Sequence, residues 1–281
     1  MTVRQSGQGV PAETHPALAA AAAAALEAYT VATAEHDRAS LAAVVADGAD
    51  GTPTMRIDVL VEDAILAALS RHPVNVLTEE SGWVDRGSAL TLVMDPVDGS
   101  ANAAAGVPLS AFSAAVAEDG VFTEALTVWL DTGRSWWARS GVPSPLRTSG
   151  RRTLDGAAVS LLRPHPANPR ATAAWWAVAR RAVRVRILST SCLEAALVAQ
   201  GATDAFADAA TDTHRLVDIA AAVVLADVAG GAVRDVFGRA VELDTDLTKR
   251  WSGVVAATAD LADELAGVLH DAHDTGSVSF T

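Results

Sequence analysis

The sequence has few cysteines, few basic residues and few aromatic side chains. Its one cysteine, Cys192, among 281 residues excludes an intrachain disulfide framework and a cysteine-rich zinc site. Lysine and arginine number 21 against 34 acidic residues, which gives a formal net charge of −13. Nucleic acids and anionic membrane surfaces bind basic faces, so this charge balance argues against both as partners. We expect Cys192 to be a small buried residue rather than a reactive thiol.

Long apolar runs are missing as well. Residues 18–26 are mostly alanine, and this run is too short and too weakly apolar to span a bilayer. Residues 1–9 are polar and do not contain the apolar run of a signal peptide. These absences predict a protein that resides in the cytoplasm and does not bind membranes.

The sequence does contain enough apolar residues for a large core. Half of its residues are apolar, which is typical of a globular chain rather than a disordered one. Residues 139–152 are rich in Gly, Pro, Ser and Arg, as linkers often are. We therefore predict one compact domain made of an N-terminal half, residues 1–148, and a C-terminal half, residues 149–281.

Hydrophobic periodicity and turn residues divide the chain into helices and strands. We predict a loose tail over residues 1–14, a helix over residues 16–46 and a mobile loop over residues 47–53. The next helix carries Asp58 and Glu62 one turn apart near its start. Acids in a first helical turn are commonly solvated and are favoured there by the helix dipole. The spacing therefore supports two interpretations equally: a pair of surface acids, or a pair that flanks a functional site.

The rest of the chain alternates between the two element types. The predicted strands cover residues 74–77, 90–94, 110–116, 121–130, 134–138, 157–162, 183–188, 203–207 and 253–258. The predicted helices cover residues 169–182, 192–201, 218–229 and 261–270.

The most informative stretch is residues 90–102. An apolar run from residue 90 to residue 94 predicts a buried strand, which leads directly into Asp95 and Asp98. Pro96 favours an extended conformation at Asp95, and Gly99 permits a tight turn. Ser100 can cap a helix that follows this turn.

This stretch offers ligands for both a cation and an anion. The two carboxylates and the carbonyl of Val97 are the oxygen ligands that Mg²⁺ prefers. Free N–H groups at the start of a helix favour a bound phosphate. From these residues alone, a buried strand followed by an ordinary Asp/Gly turn is an equally good interpretation.

Residues 95–102, Asp-Pro-Val-Asp-Gly-Ser-Ala-Asn, resemble the Asp-Pro-Ile-Asp-Gly-Thr-x-Asn signature of the inositol monophosphatase superfamily. Three further segments resemble motifs of that family in the same order: residues 54–62, 77–82 and 217–231. The resemblance covers about residues 15–260. It implies an α+β fold, the layered α-β-α-β-α sandwich of the inositol monophosphatase and fructose-1,6-bisphosphatase type, and a homodimer.

The activity that the resemblance implies is Mg²⁺-dependent hydrolysis of a small phosphomonoester by direct attack of water, with two or three ions at the site. By resemblance, Glu79, Asp95 and the carbonyl of Val97 hold one ion. Asp95, Asp98 and Asp218 hold a second ion. Without the resemblance, Asp218 would be interpreted as an acid favoured at a helix start.

The resemblance also implies catalytic, phosphate-binding and substrate-binding residues. Glu79 and the Ser100 hydroxyl orient the attacking water, and Asp58 is a further catalytic candidate. The backbone N–H groups of Gly99 and Ser100 bind the phosphate. The predicted substrate-binding residues are Ser189, Thr190 and Ser191, together with Asp208 or Asp212 as the acid that binds a substrate hydroxyl.

The sequence leaves the substrate open. We expect an inositol, cyclitol or sugar phosphate. Residues 47–53 do not contain the lysine that is usual for the family, which leaves the role of this loop open. One alternative is a nucleotide phosphatase acting on 3′-phosphoadenosine 5′-phosphate or a nucleoside monophosphate, which a basic cluster of Arg184, Arg186 or Arg215 would favour. The other is a non-catalytic regulator that binds phosphate or metal.

Overall fold

The computed structural model describes residues 9–165 and 167–276. A small antiparallel hairpin comes first, formed by β1 (Val44–Asp47) and β2 (Pro53–Met55). The strands of the larger N-terminal sheet are β3 (Asn75–Thr78), β4 (Gly82–Val84), β5 (Leu90–Asp98), β6 (Ala111–Glu118), β7 (Val121–Trp129) and β8 (Arg134–Arg139). The strands of the C-terminal sheet are β9 (Ala158–Leu161), β10 (Arg184–Arg186), β11 (Ala205–Ala207), β12 (Ala232–Asp235) and β13 (Gly253–Ala256).

Both sheets mix parallel and antiparallel neighbours. The six-stranded sheet has the order β4-β3-β5-β6-β7-β8, in which β3 and β5 are parallel and the other pairs antiparallel. The five-stranded sheet has the order β10-β9-β11-β13-β12, in which β9 is parallel to both of its neighbours. Four strands of the structure, β1, β2, β4 and β12, are not among the predicted strands.

Helices cover both sheets and separate them. They are α1 (Pro16–Glu35), α2 (Arg38–Leu41), α3 (Arg56–Leu69), α4 (Ser100–Ala105), α5 (Pro169–Ala179), α6 (Ser191–Ala199), α7 (Leu216–Ala229) and α8 (Ala259–Thr275). α1 and α3 pack on the outer face of the six-stranded sheet, α6 and α7 lie between the sheets, and α5 and α8 cover the five-stranded sheet. The layers therefore follow the predicted order α-β-α-β-α.

α7 is apolar on most of its surface and lies between the two sheets; Asp218 and Asp227 are its charged residues. Val217 and Leu225 belong to a buried cluster that includes side chains of the six-stranded sheet. Ala222 and Ala226 face the other way and pack with Phe206 of β11. The first turn of this buried helix carries Asp218, an acid that local packing alone does not explain.

The predicted helix over residues 16–46 is wrong in its second part. The side chain of Asp37 accepts a hydrogen bond from the backbone N–H of Ser40 at 2.7 Å, which starts the separate short helix α2. Val44 and Val45 then lie in β1, because β-branched side chains favour extended backbone and this segment pairs with β2. The alanine-rich composition of the region predicts helix but does not show where a cap interrupts it.

Residues 9–14, predicted as part of a loose tail, contact the six-stranded sheet instead. The Ser135 hydroxyl donates to the carbonyl of Gly9 at 3.0 Å, and the Arg139 guanidinium donates to the carbonyl of Glu13 at 2.8 Å. Residues 1–8 of the predicted tail lie outside the described residues.

α1 is long and apolar enough to cross a membrane by length and composition, and it is one such helix among the residues described. The argument from residues 18–26 considered only part of this helix, which has 20 residues. In the structure α1 packs against α3 and the six-stranded sheet, and Leu18 and Tyr29 lie in the core. Its apolar side chains thus have a partner within the fold.

The two sheets are contributed by separate stretches of the chain. The six-stranded sheet ends at β8 and the five-stranded sheet begins at β9, with the predicted boundary at residue 148 between them. One buried cluster nevertheless joins Leu77 and Val93 of the first sheet to Leu193 of α6 and Leu216 of α7. The division into residues 1–148 and 149–281 within one compact domain stays a prediction.

Candidate active site

The ends of two strands and the start of a helix bring acidic residues together. β3 and β5 are parallel neighbours with Thr78 opposite Met94, so Glu79 follows β3 at the sheet edge where Asp95 lies in β5. α7 begins beside this edge and presents Asp218 in its first turn. Carboxylate oxygens of Glu79, Asp95 and Asp218 all lie within 4.8 Å of one another. We call these three residues the carboxylate cluster.

The chemistry of the carboxylate cluster fits a divalent metal ion. Its donors are carboxylate oxygens, which hard cations such as Mg²⁺ prefer. Burial raises the pKa of Asp95 well above its usual value, and the neighbouring carboxylates of Glu79 and Asp98 raise it further. Burial also raises the pKa of Glu79. Since the ionised forms repel one another in a buried site, a bound cation would stabilise them.

Asp98 joins the end of β5 to the start of α6. Its carboxylate accepts hydrogen bonds from the Thr190 hydroxyl and from the backbone N–H groups of Ser191 at 3.1 Å and Cys192 at 2.8 Å. Burial raises the pKa of Asp98 to about 6, against the effect of the hydrogen bond from Thr190. Two predicted substrate-binding residues thus contact a predicted metal ligand, while Ser189 is exposed at a left-handed φ of 60°. Cys192 is buried, as expected.

The turn after β5 requires glycine. Gly99 adopts a φ of 84°, and a Cβ at this position would lie 2.7 Å from the carbonyl oxygen of Leu109. Gly99 is the N-cap residue of α4, so the predicted capping role of Ser100 is wrong. Because Ser100 is the first residue inside the helix, its hydroxyl donates instead to the carbonyl oxygen of Val97 at 2.9 Å.

Asp58 and Glu62 are buried, so the interpretation of both as solvated acids is wrong. The carboxylate of Asp58 accepts a hydrogen bond from the backbone N–H of Met55 at 3.0 Å and closes the first turn of α3. Burial raises the pKa of Asp58 to about 6, and the nearby Ser100 hydroxyl opposes this rise. The structure therefore places Asp58 near Ser100, whose hydroxyl proton is donated to the carbonyl of Val97.

Glu62 fixes the turn that follows β3. Its carboxylate accepts hydrogen bonds from the Thr78 hydroxyl at 2.7 Å and from the backbone N–H groups of Glu80 at 3.1 Å and Ser81 at 2.8 Å. These contacts surround Glu79 on both sides along the chain. Glu62 lies in the motif of residues 54–62, but the sequence does not show that it acts through this turn.

Two further carboxyls hold loops beside the carboxylate cluster. Glu80 accepts a hydrogen bond from the Thr54 hydroxyl of the hairpin. Glu194 accepts hydrogen bonds from the backbone N–H groups of Leu188 at 3.3 Å and Thr190 at 3.4 Å. Burial raises the pKa of Glu80 and of Glu194 to about 7.

These shifts predict that the metal-free protein becomes more stable as the pH falls from about 8 to about 5. Asp58, Glu80 and Glu194 have folded-state pKa values of about 6, 7 and 7, above those of exposed carboxyls. The folded chain therefore binds more protons than the unfolded chain in this window, and the stability present at low pH is lost as the pH rises. Melting temperatures measured in EDTA across the window test this, and a steady decrease on acidification would contradict it.

The structure adds Arg215 to the site. Arg215 is the N-cap residue of α7, and its guanidinium forms ion pairs with Glu79, Asp218 and Asp50. The sequence suggested Arg215 only as a member of a basic cluster for a nucleotide. The contact with Glu79 joins residues 136 positions apart, so no local pattern could have predicted it.

Asp50 connects the hairpin to the C-terminal half of the chain. It lies in the turn between β1 and β2, within the loop predicted as mobile, and its side chain has no exposed surface. Its carboxylate accepts hydrogen bonds from Arg215 at 3.4 Å and from Arg250 at 2.8 Å. Asp50 therefore anchors this loop to the C-terminal half through two arginines. The loop does not contain the lysine that is usual for the family.

Asp208 and Asp212 shape a turn after β11. Asp208 is fully buried and accepts hydrogen bonds from the Thr211 hydroxyl and from the N–H of Thr213 at 3.0 Å. Asp212 is partly exposed and pairs with Arg239 at 2.5 Å. Asp212 is thus the more accessible of the two acids, and its contact with a substrate hydroxyl stays a prediction.

Comparison with known proteins agrees with this geometry. A family model described as the inositol monophosphatase family matches residues 13–274. The chain belongs to the inositol monophosphatase family. A relative in Methanothermobacter thermautotrophicus, named fructose-1,6-bisphosphatase/inositol-1-monophosphatase, is 31% identical over 251 residues, which cover 80% of this chain and 86% of that protein.

Two further similar proteins are a solved structure and a bifunctional enzyme. A solved inositol monophosphatase–fructose 1,6-bisphosphatase superposes with a TM-score of 0.77 and 26% identity, covering 90% of this chain and 98% of that one. A bifunctional NADP phosphatase/NAD kinase of Methanococcus maripaludis is 30% identical over 254 residues, and the match covers 80% of this chain and 44% of that protein. The predicted fold is confirmed, and this inositol monophosphatase family member is a phosphoric monoester hydrolase.

Proposed function

We propose that this enzyme hydrolyses an inositol, cyclitol or sugar phosphate with Mg²⁺ as its metal ion. The observation that carries the proposal is the carboxylate cluster, whose oxygens lie within 4.8 Å of one another. The proposed reaction uses two or three Mg²⁺ ions at this site. Glu79, Asp95 and the Val97 carbonyl would hold one of them, and Asp95, Asp98 and Asp218 would hold a second.

When bound, divalent ions supply charge neutralisation at the phosphoryl group, a more acidic water and stabilisation of the leaving oxygen. The residues of the chain position the reactants around that chemistry. The Ser100 hydroxyl, which donates to the Val97 carbonyl at 2.9 Å and so keeps a lone pair free to accept from water, would orient the attacking water together with Glu79 and with Asp58 nearby. The backbone N–H groups of Gly99 and Ser100 would bind phosphate oxygens.

The substrate would lie on the side of the cluster formed by the loop before α6. Thr190 and Ser191 contact Asp98 there, and Ser189 is exposed next to them. We propose these three residues and Asp212 as contacts to the substrate. The names of the relatives make inositol 1-phosphate and fructose 1,6-bisphosphate the first compounds to test.

A nucleotide phosphatase is the second candidate. The relative from Methanococcus maripaludis is named for NADP phosphatase activity, which supports a nucleotide carrying a phosphomonoester. Because Arg215 is engaged by three carboxylates, the basic cluster that would have favoured a nucleotide loses one of its members. We also propose that the enzyme is a homodimer and resides in the cytoplasm. Size-exclusion chromatography with light scattering tests the oligomeric state.

A panel of phosphomonoesters distinguishes these substrates. We expect Mg²⁺-dependent phosphate release to be fastest with inositol 1-phosphate, fructose 1,6-bisphosphate or a hexose phosphate, and slower with NADP, nucleoside monophosphates and 3′-phosphoadenosine 5′-phosphate. The measurement compares kcat/KM across the panel with and without EDTA. A preference for NADP or 3′-phosphoadenosine 5′-phosphate of tenfold or more would contradict the sugar or cyclitol proposal and support the nucleotide one.

A further inference from the structure

We propose that Arg215 is a resident cation of the metal site, which competes with divalent ions for Glu79 and Asp218 and lowers the metal affinity of the carboxylate cluster. The inference rests on the proposed function, because it concerns the ions that the proposed reaction needs. It assigns to Arg215 a positioning role, since the side chain acts on the metal ligands rather than on the reacting phosphate.

The contacts of Arg215 place a fixed positive charge within the carboxylate cluster. One terminal nitrogen of its guanidinium binds the carboxylate of Glu79. The other terminal nitrogen and Nε each lie 3.3 Å from an oxygen of Asp218. The backbone N–H of Arg215 also donates to Asp218 at 2.5 Å, so the start of α7 holds both residues in place. The side chain of Arg215 is 17% exposed, which limits screening by water.

This arrangement has opposite effects on the free and the metal-bound protein. Without metal, the guanidinium reduces the repulsion among Glu79, Asp95 and Asp218 and stabilises the fold. With metal, the same positive charge repels the ion, and its hydrogen bonds occupy carboxylate oxygens that the ion needs. A chain with a neutral residue at position 215 should therefore be less stable without metal and bind metal more tightly.

Asp50 gives Arg215 a second partner that is not part of the carboxylate cluster. Its carboxylate lies 3.4 Å from the guanidinium of Arg215 and 2.8 Å from that of Arg250. When an ion binds Glu79, the guanidinium can release that carboxylate and keep Asp50. Among the described residues, Arg250 contacts Asp50 and none of the three carboxylates, so it provides a control that changes the net charge equally.

Calorimetric titration of the EDTA-treated protein with Mg²⁺ and with Mn²⁺ tests the proposal. Arg215→Gln is expected to tighten metal binding about tenfold and to lower the melting temperature of the metal-free protein. Arg215→Lys keeps the charge but loses the three-nitrogen contact, so its metal affinity should lie between those of the wild type and Arg215→Gln. Arg250→Gln should change the affinity by less than about twofold, because Arg250 is outside the cluster.

Unchanged or weaker metal binding by Arg215→Gln would overturn the proposal, since it would show that Arg215 is needed only for structure. If the Gln variant does not fold, Arg215→Met, which keeps the apolar stem, is purified in the presence of Mg²⁺. Failure of both neutral variants to fold with Mg²⁺ present would also overturn the proposal, because the ion should then replace the missing charge.

The outcome separates this inference from the proposed function. Wild-type protein that binds Mg²⁺ but releases no phosphate from any compound would contradict the proposed substrates. The metal affinities of the Arg215 variants would still decide whether Arg215 competes with the ion. Equal affinities of wild type and Arg215→Gln, with normal hydrolysis by the wild type, would overturn the inference alone. A wild type that binds neither ion would overturn both.

Discussion

Replacement of Asp95 by asparagine is expected to reduce phosphate release by roughly a thousandfold or more while raising the melting temperature of the metal-free protein by about 2–4 °C. Asp95 is 2% exposed and is the member of the carboxylate cluster proposed to bind both ions. Asparagine keeps the oxygen that accepts the N–H of Val97 at 3.0 Å, so the turn should persist. The substitution replaces a buried carboxyl group, whose ionisation the fold opposes, with a neutral amide.

The opposite signs of the two effects make this prediction specific. Substitution of a residue needed only for folding would lower activity and stability together. Substitution of a buried metal ligand should lower activity and raise the stability of the metal-free protein. Asp63→Asn, an exposed acid on α3, is the matched control and should change neither quantity. Retained activity in Asp95→Asn, or a clearly lower melting temperature, would contradict the assignment of Asp95 as a metal ligand.

Truncation of Glu62 to alanine is expected to cost about 3 kcal/mol of folding free energy and to lower kcat about a hundredfold. The variant leaves the Thr78 hydroxyl and the N–H groups of Glu80 and Ser81 without their acceptor. Because these groups flank Glu79, its carboxylate should shift relative to Asp95. Chemical denaturation and steady-state kinetics measure the two effects.

A graded comparison shows whether Glu62 acts through its hydrogen bonds. Glu62→Gln keeps the shape and one oxygen acceptor, so we expect its stability and kcat to fall between those of the wild type and the alanine variant. If Glu62→Ala kept normal kinetics, the turn after β3 would not depend on this carboxylate, and the proposed positioning of Glu79 would be wrong.

The sequence predicted most of the strands and the elements that deliver the acids of the site. The apolar run of residues 90–94 with Asp95 and Asp98 after it corresponds to β5, and Asp218 lies in the first turn of α7 as predicted. These features were predictable because their signals are local: short apolar runs, turn residues and acids at element ends. The resemblance then assigned these acids to one site although they are distant in the sequence.

The contacts that cross the fold were not predictable from the sequence. The ion pairs of Arg215 with Glu79 and Asp50 join elements of different layers. Glu62 of α3 binds backbone N–H groups in the turn that follows β3. The residues next to each of them in the sequence form no motif that points to a distant partner. The partner is visible only in the folded structure. The break after α1 was missed for another reason, since a cap at Asp37 competes with a strongly helical composition.

Anomalous diffraction from crystals grown with Mn²⁺ locates the metal ions without a substrate. We expect a strong anomalous peak within coordination distance of Glu79, Asp95 and Asp218, with a second peak near Asp98 as the ion concentration rises. The first peak should disappear in Asp95→Asn. Ions bound elsewhere, or a carboxylate cluster that stays empty at millimolar Mn²⁺, would show that these three residues do not form the metal site.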